Sequence, residues 1–182
     1  VYDGLSAPFG PDRRNHGDPI VTNFIKRAAL AATVLAGTAF AATPALAAEL
    51  QSITGPEALK IVRAYGAIAE LTTDAAGDPL IQAEYQGYKF FIYFYRCDES
   101  KACLDLQFNS SFNFNGAVGL EEVNTYNTNT RFGQAYVNAD GTVSVDMSAT
   151  VQGGVDRQYV TEVIDWYATT LTSFQEKVTG GQ

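Results

Sequence analysis

Apolar and polar residues alternate along much of the chain, which is the pattern of β-strands with one buried face. The clearest case is residues 104–108, LDLQF, where two leucines and a phenylalanine alternate with aspartate and glutamine. Residues 143–147 show the same alternation after Asp140-Gly141, a strong signal for a two-residue hairpin turn. With the turn residues between the runs, the pattern predicts strands at 67–73, 80–85, 88–96, 104–108, 132–139 and 143–147.

Three other segments have the spacing of amphipathic helices. The first begins with a T-x-x-E capping box, Thr54 to Glu57, and ends at Gly66. The second, residues 120–130, is rich in Asn and Thr and is a weak helix by propensity. The third, residues 155–177, carries large apolar side chains at steps of three and four. We expect the last two helices to bury Leu120, Val123, Tyr126, Val155, Tyr159, Val163, Trp166, Tyr167, Leu171 and Phe174.

The predicted order of elements is helix, four strands, helix, two strands, helix. Hairpin connections dominate this order, which predicts a single α+β domain with a mainly antiparallel sheet. The strand at 88–96, YKFFIYFYR, is the most hydrophobic part of the domain and places aromatic residues on both faces. Such a strand is central and covered on both sides, or one of its faces meets a partner.

Residues 21–47 have the composition of a cleavable export signal. Lys26 and Arg27 supply positive charge, residues 28–42 form an Ala-rich apolar stretch, and Pro44 interrupts it. The stretch has 15 residues, fewer than the roughly 20 that span a bilayer. An uncleaved N-terminal anchor is the alternative.

The signal contains its own cleavage motif. Ala45-Leu46-Ala47 is an A-x-A sequence, so we expect cleavage after Ala47 and a mature domain, residues 48–182, that starts at Ala48. Residues 1–20 are rich in Gly, Pro, Asp and Arg and have no helical or strand period. They are predicted to be disordered or a gene-model extension, and a long n-region of the signal is the alternative. The predicted location is the periplasm or the secreted fraction.

The charge balance argues against two classes of partner. The chain has a formal net charge of −8, and residues 48–182 hold 17 acidic against 8 scattered basic residues. Nucleic-acid binding needs a clustered positive surface, so no nucleic-acid partner is expected. An acidic domain is also a poor match for anionic membrane surfaces, so no membrane contact is expected after cleavage.

Histidine chemistry is excluded from the predicted mature domain. His16, the single histidine, lies before the signal. Without histidine, neither a Ser-His-Asp nor a Cys-His arrangement can form, and the commonest metal ligand is missing. A mechanism that uses only carboxylates, such as Asp74, Asp78 or Asp105, remains open.

The two cysteines, Cys97 and Cys103, are predicted to form a structural disulfide. Exported proteins meet an oxidising environment, in which an even pair of cysteines is oxidised. The spacing is not that of a C-x-x-C redox motif, and two cysteines without histidine are too few for a zinc site. Closing so short a loop stabilises a fold by about 2 kcal/mol.

Two acidic pairs are candidates for chemistry, and each has a simpler explanation. Asp74 and Asp78 flank Ala-Ala-Gly, but a calcium loop needs more oxygen ligands in a fixed run, so we interpret DAAGD as a turn. Glu121 and Glu122 begin the second predicted helix, where the helix dipole favours negative charge. No metal or cofactor is expected.

Two groups of side chains are candidates for ligand recognition. One is the set of aromatic residues Phe90, Phe91, Tyr93, Phe94 and Tyr95, which either lines a ligand groove or belongs to the core. The other is Asn124, Asn127, Asn129 and Arg131, which forms either a polar recognition patch or a solvated helix face.

Several segments together resemble the YbjN-domain family of bacterial sensory-transduction regulators. They are LTTDAAGDPLI at 71–81, the aromatic strand that ends in Cys97, CLDLQF at 103–108, and YNTNTRFGQAYVNADG at 126–141. In the last segment, Tyr126 stands where Trp is common in the family. A late GG-V segment and an aromatic-rich last helix complete the resemblance, which covers residues 54–176.

The resemblance implies a fold like that of type III secretion chaperones. These proteins have a curved antiparallel sheet with helices against it and are often dimeric. The resemblance implies no active site. An exported member of the family cannot directly touch cytoplasmic DNA or polymerase.

Residues and resemblance together favour a non-enzymatic, exported binding, chaperone-like or regulatory domain of the bacterial cell envelope. An unknown peptide or protein partner would bind at an exposed sheet edge or in the groove under the last helix. The alternatives are a structural or envelope-stress homodimer without ligand and a carboxylate-based hydrolase.

Overall fold

The computed structural model describes residues 49–179. The predicted N-terminal extension (1–20), the signal peptide (21–47) and its cleavage residues Ala45, Ala47 and Ala48 lie outside this range. Within it, no helix is both long enough and apolar enough to cross a membrane.

Three helices and six longer strands follow one another in the predicted order. Two short strands, β1 and β5, were not predicted; they pair with each other. In chain order the elements are β1 (Ile53–Thr54), α1 (Gly55–Tyr65), β2 (Ile68–Thr73), β3 (Pro79–Tyr85), β4 (Tyr88–Tyr95), β5 (Ala102–Cys103), β6 (Asp105–Phe112), α2 (Leu120–Thr128), β7 (Gln134–Val137), β8 (Val143–Thr150) and α3 (Arg157–Thr179).

The main sheet has six strands in the order β2-β3-β4-β6-β8-β7. Every neighbouring pair is antiparallel, which confirms the predicted α+β class. The chain runs from β6 through α2 to the outer strand β7, and β8 then returns between them. This return places residues of β6 beside residues of β8, for example Asn109 opposite Asp146.

The capping box predicted at the start of α1 is present. The Thr54 hydroxyl accepts a hydrogen bond from the Glu57 amide at 3.4 Å. In return, the Glu57 carboxylate accepts one from the Thr54 amide at 3.2 Å. The helix ends at Gly66, whose φ of 107° is in the left-handed region that favours glycine.

Helices cover one face of the sheet. α1 packs on β2 and β3, α3 packs on β8, and the two helices contact each other. Tyr167 of α3 is fully buried; its ring lies 5.6 Å from Phe90 and 5.3 Å from Phe108, between ring centroids. Its hydroxyl donates a 2.8 Å hydrogen bond to the Val145 carbonyl. The alternation within each strand therefore sends one set of side chains into this core and the other set away from it.

Two side chains predicted to be buried are exposed. Leu120 is 76% exposed because it is the first residue of α2, one turn before Val123 and Tyr126, which are buried as predicted. Trp166 is 42% exposed because it lies at the edge of the stripe that α3 turns toward the sheet. That stripe is formed by Val160, Val163, Ile164, Tyr167, Thr170, Leu171 and Phe174.

Candidate functional site

The face of the sheet turned away from the helices carries a group of tyrosine, amide, hydroxyl and carboxylate side chains. We call it the open face; it comprises the outward-pointing residues of β4, β6, β8 and β7 and of the β7–β8 connection. They line a shallow depression of about 710 Å³. Its main residues are Tyr93, Tyr95, Gln107, Asn109, Ser111, Tyr136, Asn138, Ser144 and Asp146.

Strand register brings these residues together in rows across the sheet. Asn109 lies opposite Phe91 on one side and Asp146 on the other. One step further along, Gln107 lies opposite Tyr93. Because side chains directly opposite each other in antiparallel strands are within contact distance, the rows form one continuous surface.

Asp146 is the centre of a hydrogen-bond network on the open face. Its carboxylate accepts bonds from the Gln107 amide at 2.8 Å, from the Tyr136 hydroxyl at 3.1 Å, and from the Asn109 amide. The Tyr95 hydroxyl donates to the Gln107 carbonyl oxygen at 2.8 Å. The network thus joins β4, β6, β7 and β8 through side chains.

A second set of hydrogen bonds fixes the neighbouring end of the open face. The Asn138 amide donates to the Ser144 hydroxyl at 2.8 Å and to the Thr142 hydroxyl at 2.9 Å. The hydroxyls of Ser111 and Ser144 are 2.7 Å apart. These bonds hold the polar side chains in one arrangement.

Two tyrosines of the open face have raised pKa values, and the carboxylate beside them accepts hydrogen bonds from neutral groups. Burial, followed by the charge of Asp146, raises the pKa of Tyr136. Burial and the neighbouring Tyr93 and Asp146 raise the pKa of Tyr95. The donors to Asp146 named above are all neutral, and the ion pairs formed within residues 49–179 use other carboxylates. The open face therefore presents aromatic rings around a carboxylate that forms no ion pair within residues 49–179.

The five aromatic residues predicted on β4 divide between core and surface. Phe90 and Phe94 are buried beneath the helices, as the core interpretation predicted. Phe91, Tyr93 and Tyr95 point the other way and are half-buried or exposed. The groove interpretation therefore applies to these three alone.

A family model described as "Putative bacterial sensory transduction regulator" matches residues 59–179. The chain belongs to the YbjN family. This match confirms the resemblance that the sequence indicated. The description names regulation and no catalytic activity. The chain matches no curated protein.

The three carboxylates considered for catalysis in this YbjN domain have separate local partners. Asp74 accepts hydrogen bonds from the amides of Ala76 and Asp78, both at 2.9 Å, and so forms the predicted turn. Asp78 pairs with Lys101 at 2.9 Å. Asp105 accepts a 2.7 Å bond from Arg96, which lowers the pKa of the Asp105 carboxyl.

The acidic side chains near α2 act at its first turn. Glu122 accepts a 2.9 Å hydrogen bond from the Gly119 amide, which lowers the pKa of its carboxyl. Glu121 is its exposed neighbour in the same turn. Among residues 49–179, no three His, Cys, Asp or Glu side chains lie close enough together to hold a metal ion.

The four residues of the predicted polar patch have different roles. Asn127 binds the backbone of Ala135 twice, accepting from its N–H at 2.8 Å and donating to its carbonyl at 2.9 Å. These two hydrogen bonds connect α2 to β7. Asn129 donates to the Thr125 carbonyl at 2.8 Å. Asn124 and Arg131 are exposed, and none of the four belongs to the open face.

The predicted cysteine pair is bonded in the structure. Cys97 follows β4 and Cys103 ends β5, so the disulfide closes the loop between these strands. Within the loop, the Asp98 carboxylate accepts hydrogen bonds from Ser100 and from the Ala102 amide. These bonds lower the pKa of Asp98. The loop begins at Cys97, two residues after Tyr95 of the open face.

The centre of the site was not found from the sequence. Gln107, Tyr136 and Asp146 lie within predicted strands without a predicted role, and Asn109 lies one residue beyond the predicted strand 104–108. The signal that they share is a period of two, which puts them on one face. Their convergence follows from β8 lying between β6 and β7, an order that no local pattern specifies.

We expect the substitution Asp146→Asn to lower the pKa of Tyr136. The carboxylate disfavours a nearby tyrosinate, so its removal returns the phenol toward its ordinary pKa of about 10, while the contribution of burial remains. The measurement is an alkaline titration followed by NMR of 13C-labelled tyrosine rings, with Tyr136→Phe to assign the signal. Tyr65, whose pKa is raised by burial and by Asp165, is the internal control, and its ring signals should follow the same course in both proteins over the titration. An unchanged pKa at Tyr136 would show that Asp146 does not organise the open face.

Proposed function

We propose that this YbjN domain is an exported, non-enzymatic binding domain. Its open face holds an extended segment of a partner protein that carries basic side chains. The observation that carries this proposal is the Asp146 network, a carboxylate that three neutral donors hold in place among exposed tyrosines.

The chemistry of the open face suits a basic peptide segment. A lysine or arginine side chain gains a charge-assisted hydrogen bond from Asp146 and a cation–π contact from the rings of Tyr93 or Tyr95. The amides of Gln107 and Asn109 can exchange hydrogen bonds with peptide groups. Tyrosine is enriched at protein interfaces because it offers a large apolar surface and one polar tip.

The face of the sheet is better suited to binding than its edges. At the β2 edge, Arg63 donates two hydrogen bonds to the Ala69 carbonyl, at 2.7 and 3.1 Å. At the β7 edge, Asn127 occupies both backbone groups of Ala135. Natural sheets block their edges with such side chains, and a blocked edge cannot accept a complete added strand. We therefore propose that the partner segment binds across the face of the sheet and not along one of its edges.

Three features support export to the periplasm or beyond. They are the signal-like sequence of residues 21–47, the acidic composition, and the disulfide between Cys97 and Cys103. Disulfides persist in oxidising compartments and are rare in the cytosol. A binding role outside the cytoplasm agrees with the regulatory description of the family when the regulated component is a protein of the cell envelope.

A homodimer is the second candidate. Phe91, Tyr95 and Tyr136 are exposed aromatic residues on one surface, and a second copy that packs face to face would cover them. The half-buried carboxylate of Asp146 argues against this arrangement, because two copies packed face to face would bring Asp146 near its own counterpart.

For export, we expect the protein isolated from its native cells to begin at Ala48. Intact-mass spectrometry of separated periplasmic, secreted and cytoplasmic fractions tests this. The expected mass is that of residues 48–182 with one disulfide. A chain that retains residues 21–47 and stays in the cytoplasm would contradict export while leaving the binding proposal open.

For binding, we expect a lysine pentapeptide to shift the NMR signals of Tyr93, Tyr95 and Asn109. Asp146→Asn should weaken this binding about tenfold, because a charge-assisted contact contributes about 1.4 kcal/mol or more. Glu162→Gln is the matched control, since it removes the same charge from an exposed position on α3. A glutamate pentapeptide should not bind.

Equal weakening by Asp146→Asn and Glu162→Gln would contradict the proposal. It would show that the peptide responds to the net charge of the domain and not to the open face.

A further inference from the structure

A second surface differs from the open face in the sign of its charge. It is a cleft of about 270 Å³ between the end of α2, the segment that follows it, and the C-terminal half of α3. We call it the α2–α3 cleft. The residues that define it are Tyr126, Arg131, Phe132, Trp166, Ser173 and Lys177.

Two aromatic rings form an exposed apolar wall of the cleft. Phe132 and Trp166 stack with their ring centroids 5.5 Å apart and their planes 16° apart. Phe132 is 56% exposed despite this stacking. Two stacked rings that remain open to solvent offer a flat surface to a third ring.

The cleft also contains two cationic side chains. Arg131 and Lys177 both line it, and both are exposed. Ion pairs within residues 49–179 are made by Arg96, Lys101 and Arg157, not by these two. Lys177 donates a hydrogen bond to the Thr130 hydroxyl at 3.4 Å, and its Nζ lies 5.7 Å from the centroid of the Tyr126 ring. Neither cation therefore has an ion-pair partner among residues 49–179, although the net charge of the chain is −8.

Tyr126, a buried residue of the cleft lining, has an unsatisfied polar group. Tyr126 is 2% exposed, and its hydroxyl is buried with no hydrogen-bond partner among the described residues. Burial raises the pKa of this phenol, and the nearby Thr130 hydroxyl lowers it by a smaller amount. The two hydroxyls do not have the geometry of a hydrogen bond. A buried hydroxyl without a partner costs folding free energy and calls for an explanation.

The geometry points to a site for a small aromatic carboxylate in the α2–α3 cleft. Its ring packs on Trp166 and Phe132, and its carboxylate lies between Arg131 and Lys177. The Tyr126 hydroxyl donates to a carboxylate oxygen, which gives this buried group its partner. A volume of about 270 Å³ suits a molecule with a single ring.

The position of the acidic side chains supports this assignment. Glu121 and Glu122 line the neighbouring cavity, which shares Tyr126 and Lys177 with the cleft. They do not line the cleft itself. The carboxylate of the ligand therefore lies on the side of the cleft formed by Arg131 and Trp166. The site is separate from the open face and does not depend on the function proposed for that face.

Trp166 provides the test, because it is the single tryptophan of the chain. Phenylacetate is the probe, with phenylacetamide as the neutral analogue and acetate as the anion without a ring. We expect phenylacetate to change the Trp166 fluorescence saturably and to bind at least about tenfold more tightly than phenylacetamide. Acetate should give no saturable change. The indole N–H signal of Trp166 in NMR spectra is the second readout.

Single substitutions test which side chains bind phenylacetate. Arg131→Gln and Lys177→Gln should each weaken phenylacetate binding about tenfold. Lys60→Gln, which removes the same charge from an exposed position on α1, should not. Tyr126→Phe should weaken binding about threefold to tenfold while leaving the free protein at least as stable, since it removes a buried hydroxyl that has no partner. Asp146→Asn should leave phenylacetate binding unchanged.

Three results would overturn the inference. They are equal binding of phenylacetate and phenylacetamide, equal effects of Lys177→Gln and Lys60→Gln, and no saturable change in either readout up to about 20 mM phenylacetate, a concentration well above the Kd of a weak specific site. None of these results bears on peptide binding at the open face.

Discussion

The packing of Tyr167 against one face of the sheet is the interaction on which the rest of the structure depends. Its ring fills the space between α3 and the strands that carry Phe90 and Phe108. Its buried hydroxyl is satisfied by the Val145 carbonyl, and burial raises the pKa of the phenol. Because α1 and α3 lie together on this face, the alternation of the strands leaves the other set of side chains without cover. The open face follows from this one-sided packing.

Local patterns in the sequence predicted the elements but not their assembly. The capping box at Thr54 and the turn at Asp74–Asp78 depend on a few neighbouring residues, and the structure contains both. The hairpin at Asp140-Gly141 is also present, but its loop has three residues, 139–141, and not the predicted two, because the Asn138 N–H donates to the Thr142 carbonyl. The Asp146 network depends on β6 and β8 being neighbours, although α2 and β7 separate them in the chain. The prediction that Leu120 and Trp166 are buried was wrong. The helical period shows which face of a helix is apolar, but it does not show how far the neighbouring element covers that face. The two-residue strands β1 and β5 are too short to produce a pattern.

Opposite charges are separated within this small acidic domain. The open face presents Asp146 among tyrosines, and the α2–α3 cleft presents Arg131 and Lys177 beside an aromatic pair. A short series of neighbouring residues connects the two surfaces. Trp166 of the cleft precedes Tyr167, which binds the carbonyl of Val145, and Val145 precedes Asp146. α3 thus lines the cleft and also contacts β8, the strand that carries Asp146, from the side opposite the open face.

The most direct test of the central claim is the solvent accessibility of the aromatic rings in the free protein. A soluble gadolinium chelate broadens the NMR signals of rings that solvent can reach. We predict strong broadening for Tyr95 and Tyr136 on the open face and little for Phe94 and Tyr167, which the helices cover. Equal protection of all four rings would contradict the account, because it would mean that another part of the chain or a second copy already covers the face assigned to binding.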